Sequence, residues 1–133
     1  MTEIYLKVSL VKLPNEHEDI KTEVVRFVGK TMNEKINFYY DSLGIRTFDI
    51  VALSSEIDLI VDDEGLFVPG NPVFAFPNKI YNEDLHIVGS FLIGKQILND
   101  ELDVETVGFE TMEEMGETLL RNNLHFAFIG KVA

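Results

Sequence analysis

Cysteine is absent from this sequence of 133 residues. The chain therefore has no disulfide, no thiolate metal ligand and no cysteine nucleophile. No apolar stretch reaches the roughly 18 residues that a membrane-spanning helix needs. The opening residues, MTEIYLKVSL, lack the basic region and long apolar run of a signal peptide. The length of 133 residues predicts a single domain over residues 1–133, and the absences predict that it is cytoplasmic and spans no membrane.

Basic residues are few: 11 lysines and arginines stand against 23 acidic residues, for a formal net charge of −12. Phosphate backbones and anionic bilayers repel such a surface, so we expect no direct nucleic-acid or membrane binding. Basic protein surfaces are attracted to it. Solubility is therefore the first explanation of this charge, and attraction to a basic protein partner is the alternative.

The shortage of basic residues is greatest between Lys95 and Arg121, where there are none and where −8 of the net charge lies. Three of the acids fall in the first turns of a predicted helix, where the helix dipole favours them. The segment predicts a solvated face, a docking face for a basic partner or a weak divalent-cation site. The predicted partner-binding residues are Asp100, Glu101, Asp103, Glu105, Glu113 and Glu117.

Catalytic motifs are missing. His17, His86 and His125 are isolated and have no metal-binding spacing. No serine lies in a G-x-S-x-G elbow, and no glycine-rich stretch carries the lysine of a phosphate loop. We therefore predict no enzyme activity, no catalytic residue, no metal and no cofactor.

Hydrophobic periodicity predicts an α+β fold, a mostly antiparallel sheet of about seven strands with two helices on one face. Both helices begin with a T-x-x-E capping box, at Thr31 and at Thr111. Leu102 and Val104 alternate with acids and are expected to face inward. The second helix is expected to bury Met112, Met115, Leu119 and Leu120. Eight segments have strand-like patterns, from which a sheet of about seven strands is expected: 2–13, 21–30, 47–54, 57–61, 72–76, 85–98, 101–109 and 124–132.

The stretch LIVDDEGLFVPGNPVFAFPN, residues 59–78, places three acids before a glycine. Strand, polar tip and strand predict a hairpin, with Gly65 supplying positive φ. Metal or acid–base chemistry and a recognition loop are the alternatives for Asp62, Asp63 and Glu64. The prolines confine the strand 72–76 to a sheet edge or to short pairing. A pocket near 69–78, or self-association into a homo-oligomer through that edge, would follow from this arrangement.

A family resemblance covers residues 47–95. The stretch DIVALSSEIDLIVDDEGLFVPGNPVFAFPN, followed by IVGSFLIG, resembles a small domain-of-unknown-function family of phages, plasmids and their bacterial hosts. Where that family has a shorter leucine- and asparagine-rich piece, this chain has VPGNPVFAFPN. The resemblance implies a mobile-element setting and no catalytic residue. The matching positions are Asp63, Glu64, Gly65, then Asn71 or Asn78, then Ile87, Gly89, Ile93 and Gly94.

The preferred hypothesis is a non-catalytic acidic interaction protein of phage or mobile-element type, docking on a basic, nucleic-acid-binding host protein. The alternative is a small-molecule or peptide binding module with its pocket near residues 69–78. A hydrolase or metal enzyme that uses the 62–64 acids or a histidine is the third hypothesis.

Overall fold

The computed structural model describes residues 2–77 and 83–133, and over these ranges the chain forms nine strands and two helices. The α+β class and the mostly antiparallel pairing are therefore confirmed, with more strands than the predicted seven. The elements are β1 Thr2–Lys12, β2 Glu18–Val28, α1 Met32–Leu43, β3 Phe48–Ala52, β4 Ile57–Asp62, β5 Pro72–Phe76, β6 Leu85–Val88, β7 Phe91–Leu98, β8 Val104–Val107, α2 Met112–Arg121 and β9 Ala127–Lys131.

The larger sheet has six strands among the described residues, in the order β2-β1-β7-β4-β3, with β8 added beside β7. Strand β7 pairs with two different strands on one side: its first half pairs with β1, and its second half, from Lys95 to Leu98, pairs with β8. The chain after β8 returns to β1, where Ile4 and Phe109 exchange backbone hydrogen bonds of 2.8 and 2.7 Å. The β7–β8 hairpin is thus attached to the sheet at its base.

The smaller sheet has the order β6-β5-β9 and is also antiparallel. Strand β5 lies in its centre and pairs over only four positions with each neighbour, so of the two predicted alternatives the sheet edge is wrong and short pairing is confirmed. The proline is accommodated differently: Pro72 stands at the first position of the strand, where a missing N–H costs least, and a bulge follows at Val73 and Phe74. Self-association through an edge at this segment loses its basis.

The two helices lie on opposite faces of the larger sheet, which corrects the expectation of one shared face. Tyr39 of α1 packs with Tyr5, Ile60 and Leu92. Met115 of α2 belongs to the other hydrophobic cluster. Strand side chains alternate between faces, so odd and even positions of the same strands supply the two clusters. The second cluster includes Ile4, Val8, Ile57, Leu59, Phe74, Phe76, Phe91, Ile93 and Phe109.

Both threonine N-caps are confirmed, but the reciprocal bond of a capping box differs: Glu34 accepts the Thr31 hydroxyl and Glu114 accepts the Glu110 N–H instead of the cap N–H. The Thr31 hydroxyl accepts the Glu34 N–H at 3.2 Å, and the Thr111 hydroxyl accepts the Glu114 N–H at 3.0 Å. Gly44 ends α1 in the left-handed conformation, with φ of 65°. The helix starts were readable from sequence because a cap is a local contact.

The predicted strand 85–98 is two strands in two different sheets. The chain crosses between the sheets at Gly89, whose φ of 91° is accessible to glycine. The hairpin predicted at 62–65 is wrong for the same reason: β4 and β5 lie in different sheets and do not pair with each other. Gly65 has no positive φ; a Cβ there would lie 2.6 Å from the Val88 carbonyl oxygen, so close backbone approach explains this glycine.

Over residues 2–77 and 83–133, no helix combines the length and the apolar character needed to cross a membrane.

Candidate docking surface

The predicted acids at 100–105 lie on the β7–β8 hairpin. Asn99 shapes its loop: the N–H groups of Glu101 and Asp103 donate to Asn99 Oδ1 at 2.9 and 3.0 Å. The Asn99 N–H donates to the Asp103 carbonyl oxygen at 2.9 Å and closes the loop. These bonds use the backbone groups of Glu101 and Asp103 and leave their carboxylates free. Asp100, Glu101 and Asp103 are all exposed to solvent. Glu105, on β8, is half-buried.

The predicted acids of α2 divide into two kinds. Glu113 and Glu117 are exposed. Glu114, which was not among the predicted partner-binding residues, accepts Lys95 Nζ at 3.0 Å and the Glu110 N–H at 2.9 Å. Burial raises the pKa of Glu114, but the Glu110 N–H and the Lys95 charge lower it more, for a net decrease. Glu114 therefore fixes α2 against β7 at the base of the hairpin.

None of the six predicted partner-binding carboxylates forms an ion pair with another described residue. The ion pairs involve other acids: Glu3, Glu18, Glu23, Glu56, Glu64 and Glu114. The structure brings four of the six to one hairpin and two to α2. Arg121 lies near enough to Glu117 to interact with its charge, but the hairpin and α2 together keep an excess of negative charge.

Apolar side chains are exposed within the same acidic segment, and this feature was missed from sequence. Leu102 and Val104 were predicted to face inward but are 79% and 62% exposed, and Leu98 is 65% exposed. Met112 and Leu120 of α2 were predicted to be buried and are also exposed. Alternation is typical of a half-buried strand, but the end of the hairpin extends beyond the hydrophobic core, and its apolar side chains stay exposed. The backbone of Leu102 is left-handed, with φ of 64°, and no residue pattern in the sequence predicts this conformation.

Asp62 and Glu64 take part in local contacts. Asp62 Oδ1 accepts the Glu64 N–H at 2.9 Å, which is a turn contact. Glu64 accepts Arg46 Nη2 at 3.2 Å and the Thr47 hydroxyl at 3.1 Å, while Asp63 is exposed. Within the described residues, no three acidic or histidine side chains come together as a metal site would require.

An apolar cleft of about 210 Å³ lies near the segment predicted to form a pocket. Only Phe76 and Pro77 of residues 69–78 line it, and Asn78 lies outside the described residues. Its polar rim is partly occupied by the fold, because Ser54 Oγ accepts the Glu56 and Ile57 N–H groups. The remaining lining residues are Leu53, Ile57, Asn122, Asn123, Leu124 and His125.

A buried polar network joins α1 to the larger sheet. Glu3 Oε1 accepts the Gly108 N–H at 2.7 Å, Lys35 Nζ at 3.0 Å and the Tyr5 hydroxyl at 3.0 Å. The Tyr5 proton goes to Glu3, so the Tyr39 hydroxyl, 3.0 Å away, donates to Tyr5. Burial raises the pKa of Tyr39 to about 12 and raises that of Tyr5 further. These groups satisfy one another, which assigns the network to the fold.

Asp58 is a buried acid on the same sheet face as the network. It accepts Gln96 Nε2 at 3.2 Å and the Thr106 hydroxyl at 2.5 Å. Strands β4, β7 and β8 each contribute one of these three side chains. Asp58 therefore links the β7–β8 hairpin to β4 and fixes the orientation of the hairpin relative to the sheet.

Comparison with protein-family models, curated proteins and solved structures yields no match. The resemblance to a mobile-element family accordingly stays a prediction.

Proposed function

We propose that this chain is a non-catalytic docking protein of phage or mobile-element type, acting in the cytoplasm on a basic, nucleic-acid-binding host protein. The observation that carries the proposal is the set of exposed carboxylates at 100–117 without an ion pair among the described residues. What distinguishes them from the other unpaired acids is their concentration in a segment that has no basic residue between Lys95 and Arg121, which leaves them available to a cation outside the chain.

The electrostatics favour a partner that normally binds phosphate. Such a partner carries closely spaced lysines and arginines, and the loop 99–103 offers closely spaced carboxylates in return. Complementary fields accelerate association and weaken as salt screens them beyond a Debye length of about 8 Å at physiological ionic strength. The complex should therefore form quickly and be salt-sensitive.

Affinity capture from a host lysate, at low and high salt, tests this proposal with two charge-matched variants. The hairpin variant carries Asp100→Asn, Glu101→Gln and Asp103→Asn. The control variant removes three exposed acids elsewhere through Glu16→Gln, Asp41→Asn and Asp63→Asn. We expect nucleic-acid-binding proteins to be captured by wild type and control at low salt and to be lost with the hairpin variant. Equal capture by all three proteins would contradict the proposal.

The apolar cleft beside Phe76 supports the second candidate function, a small-molecule binding module. A ligand bound there would contact Leu124, and it would stabilise the folded chain by an amount that rises with the logarithm of its concentration above Kd. Thermal unfolding with a metabolite library tests this candidate. Stabilisation that disappears in Leu124→Asp would support it, and no stabilisation by any compound would count against it.

A further inference from the structure

The far end of the β7–β8 hairpin exposes three apolar side chains. Leu98 and Val104 are directly opposite each other across the two strands, so they share one face. Leu102 follows in the loop between them. We call Leu98, Leu102 and Val104 the hairpin apolar patch.

The conformation of Leu102 does not favour leucine. Its φ of 64° is left-handed, a region that glycine and asparagine occupy at little cost and that other L residues avoid. Its side chain is 79% exposed and so adds little to the packing of the isolated fold. Neither local geometry nor packing within the chain accounts for a leucine here, whereas contact with another molecule would.

The charges around the hairpin apolar patch indicate which kind of molecule would contact it. Asp100, Glu101 and Asp103 lie in the same loop and are exposed. A second copy of the chain would place like charges against them, and an anionic lipid surface would be repelled. A cationic amphipathic protein segment, apolar on one side and lined with lysine or arginine, matches both features.

We propose that the hairpin apolar patch is the central contact of the docking surface, and that its partner element is a basic amphipathic segment. This inference rests on the proposed function and adds the apolar contact to it. Apolar centres surrounded by a polar rim are the usual arrangement of protein interfaces. The carboxylates should then set the association rate and its salt dependence, and the leucines should set the dissociation rate.

The variant Leu102→Asn separates binding from folding. Asparagine tolerates the left-handed conformation, so the variant should be at least as stable as wild type while losing the apolar contact. The control Phe67→Asn replaces another exposed apolar residue, in the short 3-10 turn Gly65–Phe67, away from the hairpin.

The probes are two synthetic helical peptides with identical lysine positions, one with leucine and one with serine on the opposite face. Binding is measured by titration calorimetry or fluorescence anisotropy over a series of salt concentrations. Wild type and Phe67→Asn should bind the Lys/Leu peptide about tenfold more tightly than the Lys/Ser peptide, since a factor of ten is about 1.4 kcal/mol and burying a leucine is worth about that or more. Leu102→Asn should lose most of this preference and keep the salt dependence.

The outcomes distinguish this inference from the proposed function. If both peptides bind wild type equally and salt-dependently, the apolar inference is wrong and the acidic docking surface stands. If neither peptide binds, both proposals fail. If Leu102→Asn binds the Lys/Leu peptide as wild type does, the patch is not the contact. Zwitterionic lipid vesicles form a separate arm, and Leu102-dependent binding to them would replace the protein partner with a membrane.

Discussion

Removal of the Glu3 carboxylate is predicted to be among the most destabilising single changes in this chain. Lys35 is 8% exposed, and its ammonium lies 3.0 Å from Glu3 Oε1. Glu3→Ala leaves that ammonium buried without its partner and also removes the acceptor of the Gly108 N–H and the Tyr5 hydroxyl. Breaking a buried pair from one side costs about 3–5 kcal/mol. Glu3 itself retains some solvent contact, so we expect about 3 kcal/mol.

Urea unfolding followed by circular dichroism measures this change, because a loss of about 3 kcal/mol is a large share of a typical stability of about 5–15 kcal/mol. Glu23→Ala is the matched control, since the Lys7–Glu23 pair is longer, at 3.8 Å, and more exposed. It should cost under about 1 kcal/mol. Lys35→Met in the Glu3→Ala background should recover part of the loss, because it removes the unpaired charge. A Glu3→Ala stability within about 1 kcal/mol of wild type would refute the reasoning.

The same network predicts a pH dependence. Burial raises the pKa of Glu3, but the Gly108 N–H and Lys35 lower it more, so its folded-state pKa lies below the ordinary 4.5. A lowered pKa gives stability that is present above 4.5 and lost as the pH falls through the folded-state value. Stability measured from neutral pH downward should decline less steeply in Glu3→Gln than in wild type.

Three further changes probe the scaffold. Gly94→Ala should destabilise by about 1–3 kcal/mol, measured by thermal unfolding, because its Cβ would lie 2.8 Å from the Val107 carbonyl oxygen and 3.0 Å from the Tyr5 ring. Thr31→Ala should cost about 1 kcal/mol in the same assay through loss of the α1 cap. Stability should fall as the pH rises from the ordinary tyrosine pKa of 10.0 toward about 12, because Tyr39 ionises at lower pH in the unfolded chain than in the folded chain. Tyrosinate absorbance of the folded chain measures this difference. Full titration near pH 10 would contradict the burial assigned to Tyr39.

Local features of the fold could be predicted from sequence, and features that depend on distant contacts could not. The caps at Thr31 and Thr111 involve residues three positions apart, so their pattern is visible in the chain. The division of 85–98 between two sheets depends on where β1, β4 and β5 lie, and Gly89 alone does not reveal it. The alternating pattern around Leu102 could not show whether other parts of the chain would pack over that side chain.

The candidate site shows the same division. The shortage of basic residues between Lys95 and Arg121 is plain in sequence and predicted the acidic segment. Which carboxylates remain without an ion pair depends on residues far along the chain, as the contact between Lys95 and Glu114 shows. The apolar side chains beside the acids were assigned to the core because periodicity reports alternation and not the presence of a covering layer.

Hydrogen–deuterium exchange on the chain, free and bound to a captured basic partner, tests the central claim most directly. We predict new protection confined to the β7–β8 hairpin, residues 96–105, and to the outer face of α2, with loss of that protection at high salt. Protection at the 66–68 turn or at the cleft beside Phe76, with the hairpin unchanged, would contradict the account.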